Sequence, residues 1–183
     1  MINTKTQIRK ELLHKLYNQP KEEGLQKSSI IKKKLFSLAE FKIAKIVMLY
    51  VSMSTEVRTE EIIDEALGMG KRVVVPRCAS RDKIVPKEIT DRRADLEIST
   101  YGIYEPLENR KNVKLDLIDL VVIPGVAFDE ENMRLGRGKG YYDRFLEKLP
   151  GGTVTVGLAF DFQIVKDLPQ DSHDKPVSQV ITN

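Results

Sequence analysis

The run LIDLVVIP at residues 117–124 constrains the fold more than any other stretch. After Asp119 every residue up to the proline is aliphatic. A strand with one face in water alternates apolar and polar positions, and this run does not. It predicts a strand buried on both faces, central in a largely parallel sheet with helices packed on each side.

The rest of the chain supplies that setting. Helix-like and strand-like runs alternate through 183 residues with no internal repeat and no Ser/Gly linker. This favours one α/β domain over residues 1–183. A first helix is predicted over residues 3–17, with Ile8, Leu12, Leu13 and Leu16 inward. Lys5 and Arg9 lie one turn apart on it and can face one anion. A second helix is predicted over 21–39, with Leu25, Ile30, Ile31, Leu35 and Leu38 inward. IVMLYV (46–51), RVVVP (72–76), a short run near 84–85, TVTVGLAF (153–160) and a final QVIT read as strands. TEEIIDEALGMG (59–70) reads as a helix with Thr59 as N-cap and glycines at its end, so its GMGK run is a helix terminus rather than a phosphate loop.

Hydrophobic residues make up 41% and charged residues 31%, the balance of a soluble globular protein with a heavily charged surface. No apolar run approaches the ~20 residues that span a bilayer. MINTKTQIRKELL lacks the apolar core and small-residue cleavage site of a signal peptide, so a cytoplasmic protein is expected. The single cysteine, Cys78, excludes an internal disulfide and a multi-cysteine metal site, and reads as a small apolar filler. The net charge of +3 does not by itself argue for nucleic acid, but it suits an anionic small ligand.

The chemistry concentrates in RLGRGKGYYDRFL, residues 134–146, directly downstream of the central strand. Glycines at 136, 138 and 140 alternate with Arg137 and Lys139. Glycine lets backbone N–H groups approach an anion without a Cβ in the way. A following helix, predicted over 141–149, adds free donors at its start. Arginine can grip a phosphate with two parallel bonds. Asp143 could reach a magnesium ion carried by that phosphate. The pattern is neither a Walker A loop nor the dinucleotide fingerprint. Two readings stay open on these residues alone: a polyphosphate cradle, or a solvated basic turn before an ordinary amphipathic helix.

PGVAFDEENMRLGRGKGYYDRFL closely resembles the signature of 5-formyltetrahydrofolate cyclo-ligases, also called methenyltetrahydrofolate synthetases. KTQIR, SMSTEVRTEEII, VVVPR, YGIYEP, VGLAFDFQIV and HDKPVSQVIT follow that family's order, so the resemblance covers essentially the whole chain. It implies a three-layer α/β/α fold with a mostly parallel sheet, like that of ribose-phosphate isomerases and CoA transferases. It implies closure of 5-formyltetrahydrofolate to 5,10-methenyltetrahydrofolate, with ATP as co-substrate and Mg2+ required. Phosphorylation of the formyl oxygen would make it a leaving group, so positioning and charge stabilisation would suffice without a nucleophilic side chain.

The resemblance also implies roles. Lys5 and Arg9 match N-terminal ATP contacts. Arg134, Leu135, Gly136, Arg137, Gly138, Lys139, Gly140, Tyr141 and Tyr142 match the ATP loop, and residues 137–141 of it also face the folate. Lys139, with Arg137 and Tyr141, is the expected catalytic group. Val51, Glu56 and Tyr101 match folate contacts, and Asp143 a magnesium position. His173 and Asp174 resemble a family pair expected to be structural. The implied partners are small molecules, not nucleic acid or membrane, for a monomer or weak dimer.

Two departures stand out. The family often has an aspartate, a magnesium position, where this chain has Ser178. It tends to have glycine where this chain has Asn132, the residue next best suited to a left-handed turn. The Ser178 departure leaves a second reading: a folate or nucleotide binder that has lost turnover. A third, a nucleic-acid clamp built on RGKGYY, would need a broader basic face with interleaved aromatics.

Overall fold

A computed structural model describes residues 4–80, 83–99, 102–171 and 174–183. In chain order the helices are α1 (Lys5–Asn18), α2 (Lys21–Ser37), α3 (Ala39–Ile43), α4 (Glu60–Gly68), α5 (Arg92–Asp95) and α6 (Tyr141–Leu146). The strands are β1 (Ile46–Met48), β2 (Arg72–Ser80), β3 (Lys83–Ile89), β4 (Leu96–Ile98), β5 (Tyr104–Pro106), β6 (Leu120–Pro124), β7 (Ala127–Asp129), β8 (Arg134–Leu135), β9 (Val154–Leu158), β10 (Ile164–Val165) and β11 (Gln179–Ile181).

Among the described residues the main sheet has the order β11-β9-β6-β1-β2-β3. Its pairs are parallel except β2 with β3. The aliphatic run thus sits where its composition predicts, with β1 on one side and β9 on the other. Successive side chains point to opposite faces of a strand. Leu120 and Val122 pack with Ile31 and Leu35 of α2 and Ile62 and Ile63 of α4, whereas Val121 and Ile123 pack with Phe145 and Leu146 of α6. Helices therefore cover both faces. Truncating one of these fully buried aliphatics to alanine costs about 2–5 kcal/mol, so the layers are held from both sides.

Several boundaries differ from the sequence reading, each for a local reason. α1 starts at Lys5 because Thr4 and Gln7 form a reciprocal capping box. The second predicted helix is two: Leu38 is extended (φ −60°, ψ 135°) between α2 and α3. On α2 the buried positions are Ser28, Ile31 and Leu35. Ile30, about 100° round the helix from Ile31, is 45% exposed, and Leu25, a turn before Ser28, is 47% exposed. Thr59 precedes α4 but does not cap it with its side chain. Its hydroxyl donates to the Tyr50 carbonyl at 2.6 Å and accepts from the Ser52 amide at 3.0 Å, tying the segment after β1 to α4. Gly70 (φ 76°) follows that helix in the left-handed region, as a terminus requires.

An element that the sequence reading did not anticipate lies between β6 and the glycine motif. β7 and β8 form an antiparallel hairpin, with β10 alongside β7. Asn132 takes φ 63° in its turn, and buried Asp129 accepts the amides of Glu131 and Met133. Ile8 and Leu12 of α1 pack on this hairpin with Val126, Ala127, Met133 and Leu135.

The chain leaves β1 through α4 towards β2, and leaves β6 through α6 towards β9 on the other side. The adjacent carboxyl ends of β1 and β6 are thus a topological switch point, where open α/β sheets bind ligands.

Candidate active site

A cleft of about 290 Å3 opens at that switch point. Tyr50, Val51, Met53 and Glu56 line it from the segment after β1; Pro124, Gly125 and Val126 from the turn after β6; Pro76, Cys78 and Ile84 from β2 and β3. Over it lies the loop from Gly136 to Gly140, leading into Tyr141, Tyr142 and Asp143.

Glycine is required in the loop by backbone geometry. Gly138 (φ 97°) and Gly140 (φ 67°) sit where side chains are strained. Gly136 is required by space, because a Cβ there would come 2.7 Å from an Arg134 guanidinium nitrogen. α6 is shorter than predicted, six residues rather than nine. Six residues align little dipole, so an anion held here would depend on the glycine backbone and the cations.

Two links bind the loop into the cleft. Arg137 donates to the Thr55 hydroxyl at 2.9 Å and lies 3.5 Å from a Glu56 carboxylate oxygen. The other Glu56 oxygen accepts the Met53 amide at 2.9 Å. Burial pushes the Glu56 carboxyl above its ordinary range, against the pull of the Met53 amide and the Arg137 charge. From the opposite side, Arg9 donates Nε–H to the Gly136 carbonyl at 2.9 Å, and its guanidinium packs against Gly138.

Beneath the loop Arg134 is almost wholly buried. Its side chain is 3% exposed, it donates to Asp143 Oδ1 at 2.5 Å and to the Pro124 carbonyl at 3.3 Å, and it lies 5.7 Å from the Tyr142 ring centre. Tyr142 packs edge-on against Phe145 while also lining the cleft, and burial raises its hydroxyl pKa. Tyr141 lines the cleft too, with the Arg144 guanidinium 5.7 Å from its ring centre.

The structure therefore gathers Val51, Glu56, Arg134, Gly136, Arg137, Lys139, Gly140, Tyr141, Tyr142 and Asp143 around one cleft, with Arg9 and Gly138 against the loop. Others stand apart. Leu135 is buried among the hairpin's apolar residues, so its side chain faces away from any ligand. Lys5 does not converge with Arg9: its ammonium pairs with Asp171 at 2.6 Å and with Asp174. Burial works against that ammonium's charge, but the two carboxylates outweigh it and raise its pKa. Tyr101 and His173 lie outside the described residues.

Ser178 does not line the cleft. It bonds to Thr155 near the start of β9, amide to hydroxyl at 2.8 Å. Leu158, three residues further along β9, is the residue level with Pro124 at the cleft. At 3.3 Å per residue Ser178 is about 10 Å down the sheet from that lip, and on the β11 side of β9.

Sequence reasoning missed part of the wall. Glu105 on β5 is 4% exposed, lines the cleft and accepts the Cys78 amide at 3.1 Å. Gln163 donates to the carbonyls of Gly125 at 2.9 Å and Val126 at 3.1 Å, holding the turn after β6 from behind. Periodicity could find neither; only YGIYEP and GLAFDFQ, as matched segments, hinted at them. Burial, first, and Glu105 push the Cys78 thiol up to about 12, which leaves it unreactive.

Among the described residues no group of three or more His, Cys, Asp or Glu side chains could hold a metal ion, and no helix is long and apolar enough to cross a membrane. The carboxylates on the cleft are Glu56, Glu105 and Asp143. This suits Mg2+, which keeps several waters and is bound by one or two carboxylates together with substrate phosphates.

The sequence profile of the 5-formyltetrahydrofolate cyclo-ligase family matches residues 1–183. A probable 5-formyltetrahydrofolate cyclo-ligase of Schizosaccharomyces pombe is 34% identical over 164 residues, 82% of this chain and 80% of that protein. The Mus musculus 5-formyltetrahydrofolate cyclo-ligase is 31% identical over 189 residues, 98% and 93% of the two chains. The solved structure of Aquifex aeolicus 5,10-methenyltetrahydrofolate synthetase superposes with a TM-score of 0.85 at 37% identity, covering 97% of this chain and 88% of that one.

Proposed function

The chain belongs to the 5-formyltetrahydrofolate cyclo-ligase family, and from that premise we propose that it closes 5-formyltetrahydrofolate to 5,10-methenyltetrahydrofolate in the cytoplasm, converting ATP to ADP and phosphate. The observation that carries this reading is the bridge from Arg137 to Thr55 and Glu56. It joins the phosphate-cradling loop to the folate-side segment across one cleft.

The chemistry asks for little else. The formyl oxygen attacks the γ-phosphorus and ADP leaves. N10 of the folate then attacks the former formyl carbon, and phosphate departs with the formyl oxygen while N10 loses its proton. Such a path needs positioning and charge stabilisation. Lys139, exposed on the loop, neutralises charge on the transferring phosphoryl group. Arg137 is shared between ATP and folate, and Tyr141 borders the reacting groups. Arg9 and the glycine amides hold phosphates, with Lys5 joining them if it exchanges its aspartates for ATP. Val51, Glu56 and Tyr101 hold the folate, Glu56 accepting from the pterin's amino and ring N–H donors. Asp143 holds Mg2+, which supplies Lewis-acid stabilisation of the phosphates when bound.

The reading of a binder without turnover rested on Ser178. With Ser178 bonded to Thr155 outside the cleft, that support falls away. The test is to mix protein, 5-formyltetrahydrofolate, ATP and Mg2+ and follow the methenyltetrahydrofolate absorbance. Growth that requires every component supports the reading; folate and ATP binding without product would return to the binder.

A further inference from the structure

Of the three carboxylates on the cleft, two are engaged: Glu56 lies against Arg137, and Asp143 pairs with Arg134. The third, Glu105, is 4% exposed, and among the described residues no cation pairs with it. A buried carboxylate without a cation is costly, and such groups gather at functional sites. In the reaction above N10 loses a proton as it closes on the former formyl carbon. Arg137 and Lys139, both cations, cannot take that proton.

Glu105 is held in place from β2. Its Oε1 accepts the Cys78 amide at 3.1 Å, and the Cys78 thiol hydrogen-bonds the same carboxylate. A carboxylate has about four acceptor sites, so this one keeps sites to spare for a ligand. The Lys139 charge, on the loop, is felt at that thiol, and the Tyr142 hydroxyl feels both Glu56 and the thiol. Glu105 and Lys139 therefore border one part of the cleft, with Tyr142 between it and Glu56. With the pterin's amino and ring N–H groups on Glu56, its N5 side points across the cleft towards β2. β2 lies ~4.8 Å from β1, a step comparable with the width of the pterin bicycle. The formyl carbon and N10 then lie between Lys139, at the phosphoryl group, and Glu105 on the wall.

We propose that Glu105 is the base that takes the N10 proton. The proposal rests on the folate reading of the main cleft. The N10 lone pair forms the bond to the former formyl carbon, the N10–H bond breaks, and its proton passes to the Glu105 carboxylate. The electrons of that bond stay on N10. The carbon–oxygen bond then breaks, phosphate leaves with the oxygen, and the positive charge is shared over N5, the carbon and N10. Glu105 releases its proton to solvent as the product departs. The competing role is structural: Glu105 would only pin β5 to β2 through the Cys78 amide.

Glu105→Gln separates the two roles, because its amide oxygen can still accept the Cys78 amide. Product formation, equilibrium binding and positional isotope exchange are measured on wild type and variant. In the last, oxygen-18 at the β–γ bridge of ATP leaves the bridge only when ADP forms and the phosphoryl group returns. Turnover of the variant should fall at least about a hundredfold, the usual worth of a general base. Its affinities for 5-formyltetrahydrofolate and ATP should stay within about threefold, and bridge exchange with the folate present should persist, since the first step is intact. Turnover within about threefold of wild type overturns the proposal. So does turnover lost together with folate affinity or with the exchange, since both precede closure by N10. Should Glu105→Gln fail to fold, Glu105→Asp, which draws the carboxylate back by one methylene, decides on the same readings. Turnover lower by about tenfold or more with exchange retained supports the base, and unchanged turnover overturns it. Wild type that makes no methenyltetrahydrofolate would remove the functional reading as well.

Discussion

Arg134 and Asp143 form an ion pair at 2.5 Å beneath the glycine loop, their side chains 3% and 18% exposed. The pair fixes the carboxylate that faces the cleft. It also explains Gly136, whose missing side chain leaves room for the guanidinium. Arg134 acts as a brace for Asp143 and the loop, with its Nε buried and without a hydrogen-bond partner.

Removing one partner of a buried pair strands the other. Arg134→Gln should lower the unfolding free energy by about 3 kcal/mol and raise the Mg2+ concentration for half-maximal turnover. Arg134→Lys should not rescue it, because one ammonium cannot reproduce a fork shared between Asp143, Pro124 and the Tyr142 ring. Denaturant unfolding and a magnesium titration check both points.

The glycines separate in the same way. Gly138→Ala forces an L-residue to φ 97° and should cost about 1–2 kcal/mol with a marked loss of ATP affinity. Gly136→Ala must displace Arg134 and should lose both stability and turnover. Gly68, at the end of α4 with nothing within 4 Å of where a Cβ would stand, is the control: Gly68→Ala should be neutral or stabilising by up to about 1 kcal/mol. Calorimetry alongside nucleotide titration distinguishes the three.

Lys139→Ala tests the loop's principal cation. Lys139 is exposed on the loop, so stability should stay within about 0.5 kcal/mol. Turnover should fall by at least about a hundredfold, as for loss of a group that stabilises transition-state charge. Near-wild-type turnover in a folded variant would remove Lys139 from the role assigned to it.

Glu56 gives a pH test. Burial raises its carboxyl pKa in the folded protein. The unfolded chain therefore sheds this proton first, and the folded state is increasingly penalised from the ordinary carboxylate range near 4.3 up through the raised value. Glu56→Gln should thus be more heat-stable than wild type at pH 7 and lose that advantage as pH falls below the ordinary range, while folate affinity drops. Thermal melts across pH show the crossover.

The central strand, its neighbours and the glycine-cation motif were legible because composition and order carry them. Leu120 to Ile123 can only be buried on both faces, and the glycines at 138 and 140 mark backbone outside the ordinary φ range. The hairpin of β7 and β8 was not, since its strands are three and two residues long, too short for a period to register. Leu25 and Ile30 looked inward because a helical period cannot say where the sheet ends. Arg134 matches the ATP loop and Lys5 an N-terminal ATP contact by position, but their partners, Asp143, Asp171 and Asp174, are set by tertiary structure. Ser178 looked like a lost ligand until β9 fixed its place beside Thr155.

In the proposed reaction the cleft aims the formyl oxygen of the folate at the γ-phosphate of ATP. The most direct measurement is the fate of that oxygen: 5-formyltetrahydrofolate labelled with oxygen-18 in the formyl group is turned over with ATP and Mg2+, and the released phosphate is analysed by mass. One labelled oxygen per phosphate is the predicted result. Unlabelled phosphate, with the label released to water, would contradict the account.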